Sequence, residues 1–522
     1  MNDGGAVEPP VLASPGDAPG RRIFRNTLLN GASYMLTLGL GFVLVPIAIH
    51  HLGNDSYSIW VLIGSFSVSS GYLSLADLGL QQSIVKFVAE ASARGDKREI
   101  DRIASSAFAV FCGVGVLALA VVAIVAYVGL GWLNVPDNLR TPAQLLLALI
   151  GIEAFVGLPA LAFEGTLEGL QRYAFIRLAD LARQITYTVW ALGALFTGHG
   201  VVAFGAAMTI GGLVGGVGYY IAARRAVPGL SISIGNVERD SIRKLVNFGG
   251  WVFVGKLNGV IWHQMDKVIL AAVVTSTALA GYDVAYKIQA TAAVVLSITA
   301  SAIMPAASAL SAIKDNARLE QLLLRGTRYT IALSLPIVIG AMLMAKPFIE
   351  HWVGPQFTDV AAATRLFLVY QFLASSSAIA NTMLFGFGDV KICTLYASLA
   401  AAINLVVSIF LAQFWGLEGV IAGTLVGHAI TTPLFIHRMM RHLDISLGTF
   451  LRGTIVPLLP WAAAFAIVLQ LIKSALPPTN LFAVLIECVV ALGVYATGVA
   501  LVAMSDEERR TVFGFFKSAR VT

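Results

Sequence analysis

Long apolar segments dominate this sequence and restrict the folds that are open to it. Hydrophobic residues make up 57% of the 522 residues, and charged residues only 12%. About fourteen segments reach the roughly 20 apolar residues that are needed to cross a hydrocarbon layer of ~30 Å. A polar surface around one aqueous core cannot be built from such a composition. The sequence therefore predicts an all-α polytopic membrane protein.

The predicted spans form two sets of six, followed by an extra pair. The first set covers about 27–49, 58–78, 103–127, 143–163, 176–196 and 201–222. The second set covers about 247–272, 281–304, 328–349, 361–384, 392–412 and 418–436, and the extra pair about 453–472 and 481–503. The predicted regions are a disordered cytoplasmic tail (1–24), an N-lobe (25–222), a cytoplasmic linker (223–246), a C-lobe (247–436), helices 13 and 14 with the preceding loop (437–504) and an interfacial cytoplasmic tail (505–522).

Basic residues alternate between the connections that join these spans. They cluster on every second connection, as in 94–102 and 224–244, whereas the connections between these clusters carry only Arg140, Lys346 and Lys473. Because Lys and Arg are retained on the cytoplasmic side, this alternation predicts that both termini lie in the cytoplasm. The net charge of +6 then lies against the anionic inner leaflet and does not indicate a nucleic-acid partner.

The two sets of six spans also repeat particular residues. Gly198 corresponds to Gly416 and Trp132 to Trp352, at offsets of about 220 residues. With six spans in each set, both sets begin on the cytoplasmic side, so the predicted repeat is parallel. Such repeats are typical of transporters, in which the substrate passes between two halves that rock against each other. In the linker, residues 238–246 have the pattern of a short amphipathic helix on the inner surface.

Four cations inside predicted spans are candidate substrate-binding residues, because a charge at the bilayer centre costs about 2.5–3.5 kcal/mol on insertion scales. Lys256 lies roughly 14 Å along span seven, and Lys267 shares its helix face near the outer surface. Arg183 in span five and Lys287 in span eight extend these two into a discontinuous ladder. A ladder of cations between the two halves suits an anionic substrate.

Pairing with acids on the same helix is the alternative role for three of these cations. Asp180 precedes Arg183 by three residues, and Asp283 precedes Lys287 by four, spacings that place both members on one helix face. Asp266 adjoins Lys267. Lys256 has no acid within reach on its own helix, so we expect it to face a cavity. The acids Glu153, Asp180, Asp266 and Asp283 are candidates for coupling to protons or sodium.

Other chemical motifs are missing from the sequence. The eight histidines are scattered, with no His-Glu-x-x-His helix, and no phosphate-binding glycine loop ends in Lys-Ser or Lys-Thr. We therefore expect no metal site, no cofactor and no catalytic residue. Gly211 and Gly215 are spaced by four residues, and we expect this face to serve close helix packing.

Several passages resemble a known family of exporters. They are Leu44-Val45-Pro46, Tyr57-Ser58-Ile59-Trp60, Asp77-Leu78-Gly79-Leu80, Gly169-Leu170-Gln171-Arg172-Tyr173 and Ala285-Tyr286-Lys287. With fourteen spans and a six-plus-six repeat, and over about residues 22–440, the chain resembles the polysaccharide repeat-unit flippases. That family belongs to the multidrug/oligosaccharidyl-lipid/polysaccharide (MOP) exporter superfamily.

The resemblance implies a transporter rather than an enzyme. Its substrate would be an oligosaccharide on an undecaprenyl pyrophosphate carrier, moved from the inner to the outer leaflet of a bacterial inner membrane for O-antigen, capsule or exopolysaccharide synthesis. Membrane lipids, a polysaccharide polymerase and other assembly proteins are the implied partners. Three alternatives stay open: a drug or cation antiporter of the same superfamily, a membrane-embedded glycan polymerase or ligase, and a scaffold for glycan-assembly enzymes.

Overall fold

The structure, a computed structural model, describes residues 39–69 and 71–500. Its regular elements are all helices, and no strand occurs among the residues that it describes. The predicted tails 1–24 and 505–522 lie outside these residues. The chain is thus a multi-pass helical membrane protein, as its composition predicted, since eight helical segments among the described residues are long and apolar enough to cross a membrane, with Leu447–Ala475 taken as one segment. The count of fourteen spans stays a prediction.

The helices divide into two compact units, one ending at Ala280 and the other beginning at Gly281. The first unit holds α1 (Gly39–Leu52), α2 (Asn54–Gly64), α3 (Leu80–Ala93), α4 (Lys97–Tyr127), α5 (Asp137–Gly169), α6 (Tyr173–Phe196), α7 (Gly200–Ala226) and α8 (Arg239–Ile269). From α9, whose first two residues belong to the first unit, the chain continues through α9 (Leu279–Ala312), α10 (Asn316–Val353), α11 (Val360–Gly386), α12 (Val390–Leu443), α13 (Leu447–Thr454), α14 (Leu459–Ala475) and α15 (Leu481–Gly498).

The second predicted span is broken in the structure. One helix was expected over 58–78, but α2 ends at Gly64, a 3-10 helix covers Tyr72–Asp77, and α3 begins at Leu80. Leu78 and Gly79 adopt left-handed backbone angles, with φ of 51° and 73°. Left-handed backbone angles do not occur within a right-handed helix, so these two residues separate the 3-10 helix from α3. Apolar composition alone predicted the crossing but not this interruption.

The linker between α7 and α8 is fastened to the beginning of α4. The Ser105 hydroxyl donates to the Ser231 carbonyl at 3.2 Å, and the Ser106 hydroxyl accepts from the Glu238 amide at 3.1 Å. The Asp101 carboxylate also accepts the Ser231 amide. Residues 239–246 are helical, as predicted for 238–246, but they form the first turns of the continuous helix α8 rather than a short helix.

Helix α8 packs within the first unit along its length. The Ser83 hydroxyl donates to the Leu245 carbonyl at 2.9 Å near one end of α8. Beyond the other end, the Asn134 amide donates to the Ala272 carbonyl at 3.0 Å, and the Ser58 hydroxyl to the Thr277 carbonyl at 2.9 Å. The predicted N-lobe and C-lobe divide before α8, whereas the compact units divide after it. The boundaries of the lobes stay a prediction.

The second unit contains the extra pair of helices. Phe465 of α14 and Tyr495 of α15 belong to one buried apolar cluster with residues of α10, and the Tyr495 hydroxyl donates to the Ala332 carbonyl at 2.9 Å. Helix α12 is two helices joined at Gly416, whose φ of 53° and ψ of −124° are not helical. This break falls between the predicted spans 392–412 and 418–436.

Candidate functional site

An ion pair between a buried acid and a partly exposed lysine lies at the break between α2 and α3. The Lys256 ammonium, near the middle of α8, donates to Oδ2 of Asp77, the last residue of the 3-10 helix. The Asp77 side chain is 3% exposed and the Lys256 side chain 33% exposed. Removing a carboxylate from water costs several kcal/mol, and the Lys256 ammonium offsets part of that cost. The sequence offered Lys256 no acid on its own helix, and the structure supplies one from another.

Asp77 is held from both of its oxygens. Its Oδ1 accepts the Gln81 backbone amide at 2.8 Å, so the carboxylate satisfies one of the free amides at the first turn of α3. The same end of α3 carries the positive pole of the helix dipole. Asp77 is thus fixed against an amide on one side and an ammonium on the other.

Close backbone packing places the two partners side by side. A Cβ atom at Gly79 would meet the Gly249 carbonyl and would lie 2.8 Å from Cβ of Val252. A Cβ at Gly249 would lie 2.8 Å from the Leu78 carbonyl oxygen. Only glycine at these two positions lets the backbone after Asp77 contact α8 directly. The distance from Asp77 to α8 is therefore set by the backbone.

A second charged group joins α6 to α7. The Arg177 guanidinium contacts Oδ2 of Asp180 at 2.8 Å, and the Tyr219 hydroxyl of α7 donates to Oδ1. Arg177 and Asp180 are three residues apart, so they share one face of α6. The pairing considered for Asp180 was with Arg183, which is also three residues away, but the structure pairs it with Arg177.

Arg183 instead interacts with acids of α5. Its positive charge acts on the carboxylates of Glu153 and Glu164. Glu153 is 8% exposed, and its Oε2 has no hydrogen-bond partner among the described residues. A neighbouring cation offsets part of the cost of burying such a carboxylate.

The small-residue face of α7 makes room for these charges. A Cβ at Gly212 would lie 3.1 Å from Cγ of Glu153, and a Cβ at Gly215 would lie 3.0 Å from Cδ of Arg183. A Cβ at Gly211 would lie 3.1 Å from the Arg183 carbonyl oxygen. The glycines that were expected to serve helix packing therefore also allow charged side chains between α5, α6 and α7.

Glu168 interacts electrostatically with both charged groups. The charges of both Arg177 and Lys256 act on its carboxylate. Glu153 and Glu168 are fifteen residues apart on α5, about 22 Å at 1.5 Å per residue, which is most of the ~30 Å hydrocarbon thickness. We call these residues the charged track of the first unit: Asp77, Glu153, Glu164, Glu168, Arg177, Asp180, Arg183, Tyr219 and Lys256.

The other predicted site residues lie elsewhere. Asp266, which is 1% exposed, interacts electrostatically with Tyr72 in the 3-10 helix, and its neighbour Lys267 is partly buried near the end of α8. Asp283, which is buried, and Lys287, which is half-buried, lie on α9 in the unit that begins at Gly281. A single ladder through all four cations stays a prediction.

Sequence reasoning missed Asp77, Glu164, Glu168 and Tyr219 as functional candidates. Asp77 ended a predicted span and was considered only as part of the Asp77-Leu78-Gly79-Leu80 passage. Glu164 and Glu168 follow the predicted end of span four at 163, but α5 continues to Gly169. For the three acids, the available signal was a position within two turns of a predicted span end, because span ends predicted from sequence can shift by a few residues. Among the described residues, no three His, Cys, Asp or Glu side chains form a group that could hold a metal ion.

Solved structures with the same fold are transporters. The lipid II flippase MurJ in an inward closed conformation superposes with a TM-score of 0.69 at 12% identity, covering 92% of this chain and 98% of MurJ. A multidrug resistance MATE family transporter of the MOP superfamily, in an inward-facing conformation, superposes with a TM-score of 0.67 at 15% identity, covering 78% of this chain and 94% of that one. The fold of the chain is therefore that of the MOP superfamily.

Sequence comparison identifies the family. The uncharacterized membrane protein EpsK of Bacillus subtilis (strain 168) is 22% identical over 507 residues, which cover 95% of this chain and 98% of EpsK. The probable low-salt glycan biosynthesis flippase Agl15 of Haloferax volcanii is 19% identical over 216 residues, which cover 41% of this chain and 46% of Agl15. The family model described as "Polysaccharide biosynthesis protein" matches residues 23–311. Because that match spans more than half of the 522 residues, the chain belongs to the polysaccharide biosynthesis protein family.

Proposed function

We propose that this protein is a flippase for oligosaccharide repeat units carried on undecaprenyl pyrophosphate. It moves them from the inner to the outer leaflet of a bacterial inner membrane by alternating access, with both of its own termini in the cytoplasm. The glycan flippase Agl15 and the lipid II flippase MurJ among its relatives support this function. A polysaccharide polymerase that consumes the flipped unit is the proposed partner.

The position of Lys256 is the main observation that supports the proposal. Lys256 is a cation near the middle of α8, the helix that contains most of the predicted span 247–272. A third of its side chain is exposed, and it lies beside an interrupted helix. Discontinuous helices at mid-membrane are typical of substrate sites in transporters, because their free backbone groups and a nearby charge can replace water around a polar substrate. The ammonium suits the diphosphate of the carrier.

The remaining predicted cations extend this role. Arg183 joins Lys256 in receiving the diphosphate, and Lys267 and Lys287 take it over towards the outer leaflet. The sugars occupy a hydrated cavity while the polyprenyl chain stays in the lipid. Coupling to protons or sodium is assigned to Glu153, Asp180, Asp266 and Asp283. Glu153 is the first of these to test, because its Oε2 is buried and lacks a hydrogen-bond partner among the described residues.

The test is transport by Lys256 variants in a strain that lacks the gene. Lys256→Ala is expected to let lipid-linked repeat units accumulate while surface polymer falls, and Lys256→Arg, which keeps the charge, is expected to retain transport. Lys391→Ala, at an exposed position at the start of α12, is the matched control. Lys473 is less suitable, because its ammonium donates to the Leu343 carbonyl at 2.7 Å. Normal surface polymer with Lys256→Ala, at equal protein abundance, would contradict the proposal.

The drug or cation antiporter is the second candidate, and the charged track itself favours it. The track contains five carboxylates but only three cations, and an acidic interior suits a cationic substrate. Deletion of the gene distinguishes the two functions. An unchanged pool of lipid-linked oligosaccharides together with greater sensitivity to cationic drugs would establish the antiporter instead.

A further inference from the structure

Asp77 occupies the place beside Lys256 that an anionic ligand would take. Its carboxylate accepts one bond from the Lys256 ammonium and one, at 2.8 Å, from the Gln81 amide at the first turn of α3. An ammonium and a backbone amide at a helix start are also the donors that hold phosphate groups in proteins. The carboxylate and a phosphate oxygen therefore compete for the Lys256 ammonium.

The two members of the pair differ in accessibility. The Lys256 side chain is 33% exposed, but that of Asp77 is 3% exposed. The Lys256 side chain therefore offers open surface to a ligand while Asp77 is covered. The Gln81 amide continues to bind Oδ1 of Asp77 when the ammonium turns away, so the carboxylate keeps a partner.

The ion pair is one of several contacts between this part of the chain and α8. Gly79 also approaches Gly249 closely, and the Ser83 hydroxyl donates to the Leu245 carbonyl at 2.9 Å. Lys256 can thus exchange Asp77 for another anion without the helices separating. Asp77 therefore competes with an anionic ligand for the Lys256 ammonium.

We propose that Asp77 is an internal counter-ion that sets the specificity of Lys256 for diphosphates, an inference that rests on the proposed function. A diphosphate carries more negative charge than a carboxylate and displaces it from the ammonium. The phosphodiester of an ordinary anionic phospholipid carries a single negative charge and does not. Because phospholipids vastly outnumber carrier lipids in the membrane, Lys256 without a competitor would be occupied by them. The carboxylate of Glu168 also interacts with Lys256 and, like that of Asp77, opposes the binding of a phospholipid to Lys256.

The test measures binding of farnesyl diphosphate to the purified full-length protein, with phosphatidylglycerol as the competing lipid. Asp77→Asn removes the charge but keeps a side-chain oxygen for the Gln81 amide. We expect it to bind farnesyl diphosphate about tenfold more tightly in the absence of phosphatidylglycerol. We also expect phosphatidylglycerol, which competes weakly with the wild type, to displace the probe from the variant at about tenfold lower concentration.

Three further variants separate the possible outcomes. Asp101→Asn removes the acid of a different ion pair in the same unit, with Lys97, and should leave both affinities unchanged. Lys256→Gln should abolish probe binding, and if it does not, the proposed cation site fails and this inference with it. A different result overturns this inference but leaves the cation site standing. In that result Lys256→Gln abolishes probe binding, while Asp77→Asn binds the probe no more tightly than the wild type and shows unchanged competition by phosphatidylglycerol. Asp77→Ser also keeps an oxygen for Gln81, and failure of both Asp77 variants to fold would likewise overturn it, because the pair would then be structural.

Discussion

The contact between the helix break and α8 predicts a graded response to three glycine-to-alanine substitutions. Gly95→Ala introduces only a side chain at φ +68°, since a Cβ there meets nothing within 4 Å. Gly249→Ala introduces only a close contact, 2.8 Å from the Leu78 carbonyl oxygen. Gly79→Ala introduces both, because its φ is +73° and its Cβ would meet the Gly249 carbonyl.

General magnitudes give the expected losses of stability. A left-handed backbone costs a residue with a Cβ about 1–2 kcal/mol, so Gly95→Ala is expected to lose roughly that amount. Forcing an atom into a packed contact costs about 1–3 kcal/mol, which applies to Gly249→Ala. Gly79→Ala should lose about the sum, roughly 2–5 kcal/mol. It should also impair transport, because α8 must shift away from the break and take Lys256 with it.

The assay is thermal unfolding of the purified protein together with surface polymer in a deletion strain. The expected order of stability is wild type, then Gly95→Ala and Gly249→Ala, then Gly79→Ala. Gly95→Ala should keep transport, whereas the other two should reduce it. If Gly95→Ala lowers stability and transport as much as Gly79→Ala, the proposed backbone contact with α8 does not matter, and the reasoning fails.

Two other predictions concern polar groups and small residues of the first unit. Ser58→Ala removes a fully buried hydroxyl that donates to the Thr277 carbonyl at 2.9 Å and accepts from the Ala280 amide at 3.0 Å, and it should destabilise the protein by about 1–3 kcal/mol. Ser474→Ala is the control, because this exposed serine donates to the Leu471 carbonyl of its own helix, and it should change the free energy of unfolding by less than about 0.5 kcal/mol. Equal losses of stability in the two variants would show that the hydrogen bonds of Ser58 do not stabilise the protein. Gly212→Val should press on the Glu153 side chain, whose Cγ would lie 3.1 Å from the new Cβ, and should lower surface polymer about tenfold. Gly193→Val, where a Cβ meets nothing within 4 Å, is its control, and similar polymer levels in both strains would show that Glu153 needs no space beside α7.

The order of the helices could be predicted because each depends on its own residues. Spans such as 201–222 and 361–384 correspond to α7 (Gly200–Ala226) and α11 (Val360–Gly386). Their ends were less accurate, and the extension of α5 to Gly169 brought Glu164 and Glu168 into a helix that had been expected to end at 163. Polar residues near the end of a span lower its hydropathy, so the predicted span stops before them. Packing against other helices can nevertheless keep these residues helical.

The candidate site was only partly predictable. Lys256 was identified because an unpaired charge in an apolar segment is unusual in any fold. Its partner Asp77 is 179 residues away in the sequence, so no helical spacing could indicate it. Spacing also allowed both Arg177 and Arg183 as partners of Asp180. In the structure Asp180 pairs with Arg177 and also accepts a hydrogen bond from Tyr219 of α7. Local patterns cannot distinguish these partners, because the choice depends on which neighbouring helix is adjacent.

The sequence by itself determined that this chain is a helical multi-pass membrane protein, because the free energy of transferring a segment to lipid depends only on the residues of that segment. It also identified the cation on which the proposed function rests. The tertiary structure alone decided that α8 packs in the first unit, that the second span is interrupted, and that Asp77 meets Lys256 there. Each of these depends on close contact between segments distant in sequence, and in lipid that contact is governed by small residues and matched polar groups rather than by hydropathy.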